Sequence, residues 1–432
     1  MSEAVAIALF VGALFLLLGA GVWVGAALLA TAVLGMALFT SAPIGDSMAV
    51  TIWGEQSSWT LTALPLFIWM GEILFRTRLS ETLFRGLSPV LAGLPGSLLH
   101  VNIGASAVFA AISGSSAATV ATVGKMSIPE LRARDYPESM IVGTLSGAGT
   151  LGLLIPPSIA MIVFGVTVNE SISKLFMAAM IPGLLLALCF MAYVAGWALW
   201  NRGRFRPRLE TDRGQLGRRL AELLPVLGLI VAVIGSIYSG IATATEAAAL
   251  GVLGALGLSA LQRSLSRASF VESVLGAVRT TAMIMLILMG AAFLSLAMGF
   301  TGIPRALAEG IAAWDLSPGM LILILTLFYI VLGCFLDGLS AIVLTMAVIE
   351  PMVRAAGFDM LWFGVYLMIV VEMAQITPPI GFNLFVLQGM TGRDMGFISR
   401  ASVPMFLVMA GFIVLLYLFP GMATWLPEVL SR

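Results

Sequence analysis

Charge is the first thing this 432-residue sequence lacks: Asp, Glu, Lys and Arg together make up 10% of it, against 60% hydrophobic residues. A soluble domain carries about 25% charged residues, so no soluble fold hides this much apolar surface. Histidine is nearly absent (His100 alone), and the two cysteines, Cys189 and Cys334, lie inside separate apolar runs. That inventory excludes a disulfide framework and makes a zinc or iron centre unexpected, because those ions are held by clustered His and Cys. The cysteines read as small packing residues, and His100 as a packed side chain with one hydrogen bond. No HExxH sequence and no serine–histidine pairing is present, which argues against an intramembrane hydrolase. Alternating segments with polar lumen positions, the mark of a membrane β-barrel, are missing too.

What is there is a series of apolar runs of about 18 residues or more, long enough to cross a bilayer as helices. Spans are expected near 3–19, 21–40, 58–76, 138–168 and 173–200, then near 222–239, 240–261, 276–299, 360–390 and 396–420. The first run has neither a basic flank nor a small-residue cleavage site before it and reads as a retained span. Two stretches, 97–131 and 318–356, carry a glycine- or serine-rich break halfway along. Each half is short for a crossing, so both read as re-entrant helical hairpins, whose tips need protein or a water-filled cavity around them. Residues 202–219 hold seven of the 22 basic residues, which places that loop in the cytoplasm and both termini outside. Arg305 and Arg354 then fall outside as minor exceptions. The amphipathic stretches 77–95 and 262–275 read as arms along the membrane surface.

The two halves match one another. "GSSA" (114–117) aligns with "GLSA" (338–341), "LLIPPSI" (153–159) with "QITPPIG" (375–381), "MGEILF" (70–75) with "MGAAFL" (289–294), and "IP" (181–182) with "VP" (403–404). Residues 1–200 are therefore repeat one, 201–221 the basic cytoplasmic loop, and 222–432 repeat two. Each repeat holds five spans and one hairpin, an odd number of crossings, so the second copy is inverted relative to the first. The expected fold is an all-α polytopic membrane protein, an inverted-topology repeat with two hairpins and two discontinuous helices. Secondary transporters are built this way, with their sites at the breaks near the bilayer midplane.

Four constellations carry chemistry. "SGSSAAT" (113–119) sits at the first hairpin tip and "GTLGLLIPPSIAMIVFG" (149–165) spans the first break; "GCFLDGLSAIVLT" (333–345) and "EMAQITPPIGFN" (372–383) are their counterparts. Proline lacks an N–H and costs about 3 kcal/mol or more inside a helix, so each pair frees carbonyls that precede it. Oxygen ligands from a tip and a break together suit a small hard cation. The plainer readings are close packing through small residues at the tips and a kink without function at the breaks. No Lys or Arg lies between Ser139 and Ser173 or between Gly357 and Gly392. An anion there meets half-helix N-termini, hydroxyls, Asn383 and bound cations. Glu72, Glu246, Asp337 and Glu372 are intramembrane acids and functional candidates by default; Glu246 reads as a residue that holds helices together.

"GSSAAT", "LIPPSI", "TEAAA" and "ITPPIGFNLF", the last preceded by Glu372, resemble the large membrane subunit of tripartite ATP-independent periplasmic (TRAP) transporters over essentially the whole chain. The resemblance implies an elevator-type secondary transporter that takes up an organic acid anion with Na⁺ as coupling ion and no organic cofactor. It implies two partners in a bacterial inner membrane, a small four-helix membrane subunit on a separate chain and a periplasmic substrate-binding protein. Carried over residue by residue, it places one sodium ion at Ser113 and Ser116 with the carbonyls of Gly152, Ile155 and Pro157. The second falls among Gly333, Asp337, Ser340, Ala374, Thr377 and Ile380. Ser113 corresponds to Asp337, so the two sites need not be equal. Substrate contacts are expected from Ser115, Pro156, Pro378 and Asn383. Dicarboxylates, sialic acids, sugar acids and amino-acid derivatives all remain candidate substrates, and no nucleic-acid partner is expected. The alternatives are a stand-alone ion-coupled dicarboxylate or anion carrier and, from another class, a non-transporting receptor.

Overall fold

The computed structural model describes residues 3–76, 86–91, 93–201, 216–301, 316–334, 336–378 and 381–430. Among them there is helix and no strand. The first half runs through α1 (Glu3–Gly19), α2 (Val24–Phe39), α3 (Ile44–Gln56) and α4 (Ala63–Arg76) to a hairpin, α5 (Leu99–Ser113) and α6 (Ser116–Ala133). A broken helix follows, α7 (Glu138–Gly149), α8 (Leu151–Leu154) and α9 (Ile159–Thr167), and then α10 (Ile172–Trp200). The second half repeats the plan with α11 (Leu216–Tyr238), α12 (Ala244–Leu261), α13 (Arg267–Thr301) and a hairpin, α14 (Pro318–Gly333) and α15 (Gly338–Ala355). Its broken helix is α16 (Met360–Gln375) and α17 (Phe382–Thr391), followed by α18 (Met395–Leu418) and α19 (Gly421–Leu430). Five of the described helices are long and apolar enough to cross a membrane, or up to seven if each bent pair counts as one span.

Capping residues set most of these boundaries. Asp359 accepts from Leu361 and Trp362 N–H at 2.8 and 3.0 Å to start α16, and Asp394 accepts from Phe397 N–H at 2.8 Å to start α18. Each satisfies donors that the first helical turn leaves without partners. Glu246 belongs to this class: with Thr243 it closes a capping box at the start of α12 and is exposed. It serves its own helix, not the interhelical contact expected of it. The arm expected over 262–275 also needs correction, because from Arg267 it is continuous with the span as the 35-residue α13. Residues 77–85 and 92 of the arm expected over 77–95, and 202–215 of the loop, lie outside the described residues.

Packing between the halves is reciprocal. α6 packs on α17 as α15 packs on α9, α7 on α18 as α16 on α10, and α2 on α13 as α12 on α4. Two copies of one unit related by a two-fold axis produce pairings of this kind. In repeat one the counterpart of α13 is the pair α3 and α4, bent by 56°. Pro65 falls in the first turn of α4, where no intrahelical donor is lost. Two arginines repeat the same relation. Arg132, at the end of α6, donates to the Thr391 carbonyl of α17 at 3.1 Å. Arg354, at the end of α15, donates to the Val168 carbonyl just past α9 at 3.2 Å. Each cation meets the negative end of the other repeat's half-helix. Arg354, an exception to the charge rule, thus has a structural partner and also pairs with Glu350 and Glu170 at 2.9 and 3.5 Å.

Hydrogen bonds between polar side chains tie each broken helix to its hairpin. Asn102 of α5 donates to Thr144 of α7 at 2.9 Å. Tyr366 of α16 reaches the Ile322 carbonyl and the Thr326 hydroxyl of α14 at 3.1 and 2.8 Å. Trp362 stacks on Tyr366, with 5.6 Å between ring centroids, and donates to the Leu416 carbonyl of α18 at 3.0 Å. The scaffold helices α2 and α13 meet through glycines. A Cβ on Gly290 would lie 2.5 Å from the Gly25 oxygen, and one on Gly25 would lie 2.5 Å from the Leu286 oxygen. Gly290→Ala is therefore expected to lower the melting temperature of the detergent-purified chain, at a cost of about 1–3 kcal/mol. Gly299→Ala, which meets nothing within 4 Å, leaves it unchanged or raises it. Equal melting of the two variants contradicts the close contact.

Candidate functional site at the hairpin tips and helix breaks

The first break follows from counting four residues back from each proline. Pro156 and Pro157 deny Gly152 and Leu153 their i+4 donors. The Leu153 carbonyl is satisfied by the Ser158 hydroxyl at 2.5 Å, and Ser158 also caps α9 by accepting from Met161 N–H at 3.4 Å. The Gly152 carbonyl has no such replacement from a following backbone N–H. α7 and α8 together bend by 43° against α9. Every residue from Leu151 to Ala160 is buried, so this irregular backbone is enclosed by protein, as the bilayer requires.

The first hairpin tip is what encloses it. Gly114 stops α5 in the left-handed conformation, φ +56°, a position glycine occupies without steric cost. A Cβ there would sit 3.1 Å from both the Pro157 oxygen and the Ile159 nitrogen. A Cβ on Gly152 would sit 2.7 Å from the Ser115 carbonyl and the Ser116 Cα. The tip therefore lies directly on the break. Ser113 bonds the Thr119 hydroxyl at 3.1 Å and the Ser115 carbonyl at 3.3 Å, while Ser115 caps α6 by accepting from Ala118 N–H at 3.5 Å. The structure brings Ser113, Ser115, Ser116, Gly152, Ile155, Pro156 and Pro157 together at one place.

The second unit copies the arrangement without copying its detail. A Cβ on Gly333 would sit 2.3 Å from the Ala374 Cβ, and the Cys334 thiol donates to the Pro378 carbonyl at 3.4 Å. The tip again meets the break, and Cys334 contributes a contact beyond simple packing. Asp337, however, is an N-cap: it accepts from Leu339 and Ser340 N–H at 3.1 and 3.3 Å and from the Ser340 hydroxyl. Its carboxylate is occupied with its own helix. The carbonyls of Ala374 and Thr377, expected to be free, accept from Thr377 and Gly381 N–H at 3.1 and 3.0 Å. Each keeps one lone pair for another partner. Ile380 lies outside the described residues. Gly333, Ser340, Ala374 and Asn383 are buried, whereas Asp337 and Pro378 are exposed and Thr377 is half-buried.

Three buried polar side chains along the second break have no hydrogen-bond partner for some or all of their polar atoms. Both oxygens of Glu372, both amide atoms of Asn383 and the Gln375 nitrogen are unpartnered, with exposures of 0%, 0% and 3%. Groups in this state are normally paired. Glu372 stands out in the sequence as an intramembrane acid, and Asn383 as an anion contact in a stretch without cations. Gln375 escaped because an amide inside an apolar run carries no charge signal. Glu72, by contrast, is used structurally: it pairs with Arg76 at 2.9 Å, and Arg76 pairs with Glu272 of α13 at 2.8 Å. His100 bonds the Pro95 carbonyl at 2.7 Å and packs in the core.

Inverted halves, hairpin tips seated on proline breaks, and a buried polar cluster without cations of its own together define a multi-pass membrane transporter. The chain matches the family model for the "Tripartite ATP-independent periplasmic transporter, DctM component" over residues 11–422, and it belongs to that family. It is 31% identical to the C4-dicarboxylate TRAP transporter large permease protein DctM of Pseudomonas aeruginosa, over 89% of this chain and 90% of that one. It is 32% identical to the isethionate TRAP transporter permease protein DctMQ of Oleidesulfovibrio alaskensis, covering 92% of this chain and 62% of that longer relative. The fold is similar to that in the crystal structure of the Alcanivorax borkumensis YdaH transporter, with a TM-score of 0.62, 14% identity and 87% of each chain covered.

The glycine contact generates a direct test. Gly152→Ala is expected to lift the first tip from its break and to speed amide hydrogen exchange across residues 113–118 at least tenfold. Gly389→Ala, which meets nothing within 4 Å, leaves exchange at the tip unchanged. Unchanged exchange in Gly152→Ala contradicts a tip seated on the break.

Proposed function

We propose that this chain carries out sodium-coupled uptake of an organic acid anion across a bacterial inner membrane. The anion is delivered by a periplasmic binding protein, and a small membrane subunit is a second partner. The observation that carries this reading is the polar cluster at the second break, with Glu372, Gln375 and Asn383 buried and incompletely paired. The residues around the two tips suit a hard monovalent ion. Ser113 and Ser116 with the carbonyls of Gly152, Ile155 and Pro157 would hold one sodium ion. Gly333, Ser340, Ala374 and Thr377 would contribute to the second, with Asp337 stiffening that tip as a cap. Oxygen donors without thiol or imidazole favour hard cations. The substrate would lie near Ser115, Pro156, Pro378 and Asn383, where α9 and α17 present their N-terminal ends to a negative charge.

The relatives' names support the charge of the substrate, since one names a C4-dicarboxylate and another isethionate, an organic anion in each case. Transport follows an elevator path in this reading: hairpins and broken helices move as one body past a scaffold that includes α2, α4, α12 and α13. Both termini face the periplasm. Each charge that crosses contributes about 2.3 kcal/mol per 100 mV. Two Na⁺ with a monoanion are therefore drawn inward by the potential, whereas a dianion needs a third cation for electrical drive. The test is uptake in proteoliposomes that contain both membrane subunits, with binding protein outside and candidate organic acids as cargo. Uptake should require an inward Na⁺ gradient and fall at least tenfold in the combined Ser116→Ala and Thr377→Ala variant. Uptake that persists in Na⁺-free medium overturns the coupling.

A further inference from the structure

Glu372 is 0% exposed, and neither carboxylate oxygen has a protein donor. No Lys or Arg from 139–173 or 357–392 can neutralise it. An ionised carboxylate in so apolar a place is prohibitively unfavourable unless an opposite charge accompanies it. The helix that carries it, α16, packs against α8 and α9, the two sides of the other repeat's break. The Ser116 hydroxyl, at the first position of α6, is near it, without hydrogen-bond geometry. The carboxylate of repeat two thus faces the hairpin tip of repeat one.

That placement answers a deficit in the first cation site. Two hydroxyls and three carbonyls are neutral ligands, and neutral oxygens alone leave a cation uncompensated in a low-dielectric interior. Asp337, the acid at the other tip, is engaged by two backbone N–H groups and the Ser340 hydroxyl. We infer that Glu372 supplies the negative charge for the monovalent cation at the first hairpin tip, across the boundary between the repeats. The inference rests on the sodium reading above and adds the residue that compensates the ion's charge. It also gives the ion a reach beyond its own repeat. A cation held between Ser116 and Glu372 draws α16 toward α6, and Ala374, Thr377 and Pro378 follow within six residues along the same chain. Occupancy at the first tip thereby sets the geometry of the second break.

The test uses the full chain with its small subunit in nanodiscs, titrated with NaCl against choline chloride at constant ionic strength and followed by melting temperature. The wild type is expected to gain stability with Na⁺. Glu372→Gln should need at least ten times more Na⁺ for the same half-maximal gain. Glu372→Asp, which keeps the charge and withdraws it from the tip, should shift the midpoint several-fold and decides the matter if the Gln variant does not fold. A Na⁺ midpoint within twofold of wild type in these variants overturns the assignment of Glu372 alone. A wild type that responds to none of Na⁺, Li⁺ or K⁺ overturns the assignment and the sodium reading together.

Discussion

Everything distinctive in this molecule depends on two N–H groups that are missing twice. A proline pair inside an apolar helix deprives the carbonyls four residues earlier of their i+4 donors, and a bilayer offers no water to replace them. The protein must close the gap itself. Local donors meet part of it, the Ser158 hydroxyl at Leu153 and the Thr377 N–H at Ala374, and a hairpin tip covers each break, Ser115 and Ser116 against Gly152 and Gly333 against Ala374. The glycines follow from the closeness of that approach, because a single methyl group at Gly152 would overlap the backbone of the tip. With the first tip packed over its break, backbone and hydroxyl oxygens form a small enclosed set of acceptors. A binding site for a hard cation is then a small further step.

The two copies of this device have diverged, and the divergence is local. Tip one turns on a left-handed glycine and leaves Ser113 bonded to Thr119. Tip two starts its helix on an aspartate cap, with Gly338 already helical. The first break is wholly buried, while the second keeps Pro378 exposed. Inverted repeats permit such inequality because each copy faces a different side of the membrane and meets different neighbours. Cross-repeat hydrogen bonds hold the unequal halves together: Arg132 on the Thr391 carbonyl and Arg354 on the Val168 carbonyl. Each runs from one repeat to the other.

Much of this was legible in the residue order, for reasons of locality. Proline pairs and Gly/Ser tips act on the backbone within a few residues, so the breaks and hairpins declare themselves, and two matching copies strengthen the reading. α3 was missed because "IGDSMAVTIWGEQ" carries Asp46, Glu55 and Gln56 and fails a test based on apolar length. The continuity of α13 was hidden for a similar reason: its first turns, with Arg267, Glu272 and Arg279, look like a surface arm although the helix does not stop there. Glu246 carried its own answer in the Thr-x-x-Glu spacing of a capping box, yet its apolar surroundings drew it toward an interhelical role. Ion pairs and approaches between residues some 200 apart leave no local trace. Arg354 and the facing of Glu372 to Ser116 became visible only in three dimensions.

The enclosed oxygens at the first tip are proposed to hold a cation that the second repeat helps to bind. The most direct measurement is a pair of high-resolution electron cryomicroscopy maps of the complex with its small subunit in nanodiscs, one in Na⁺ and one in choline. A peak between Ser116, the Gly152 carbonyl and Glu372 is expected in Na⁺ and should vanish in choline, with the tip less ordered without it. Identical density at the tip in both salts, with Glu372 hydrogen-bonded to a protein group, would contradict it.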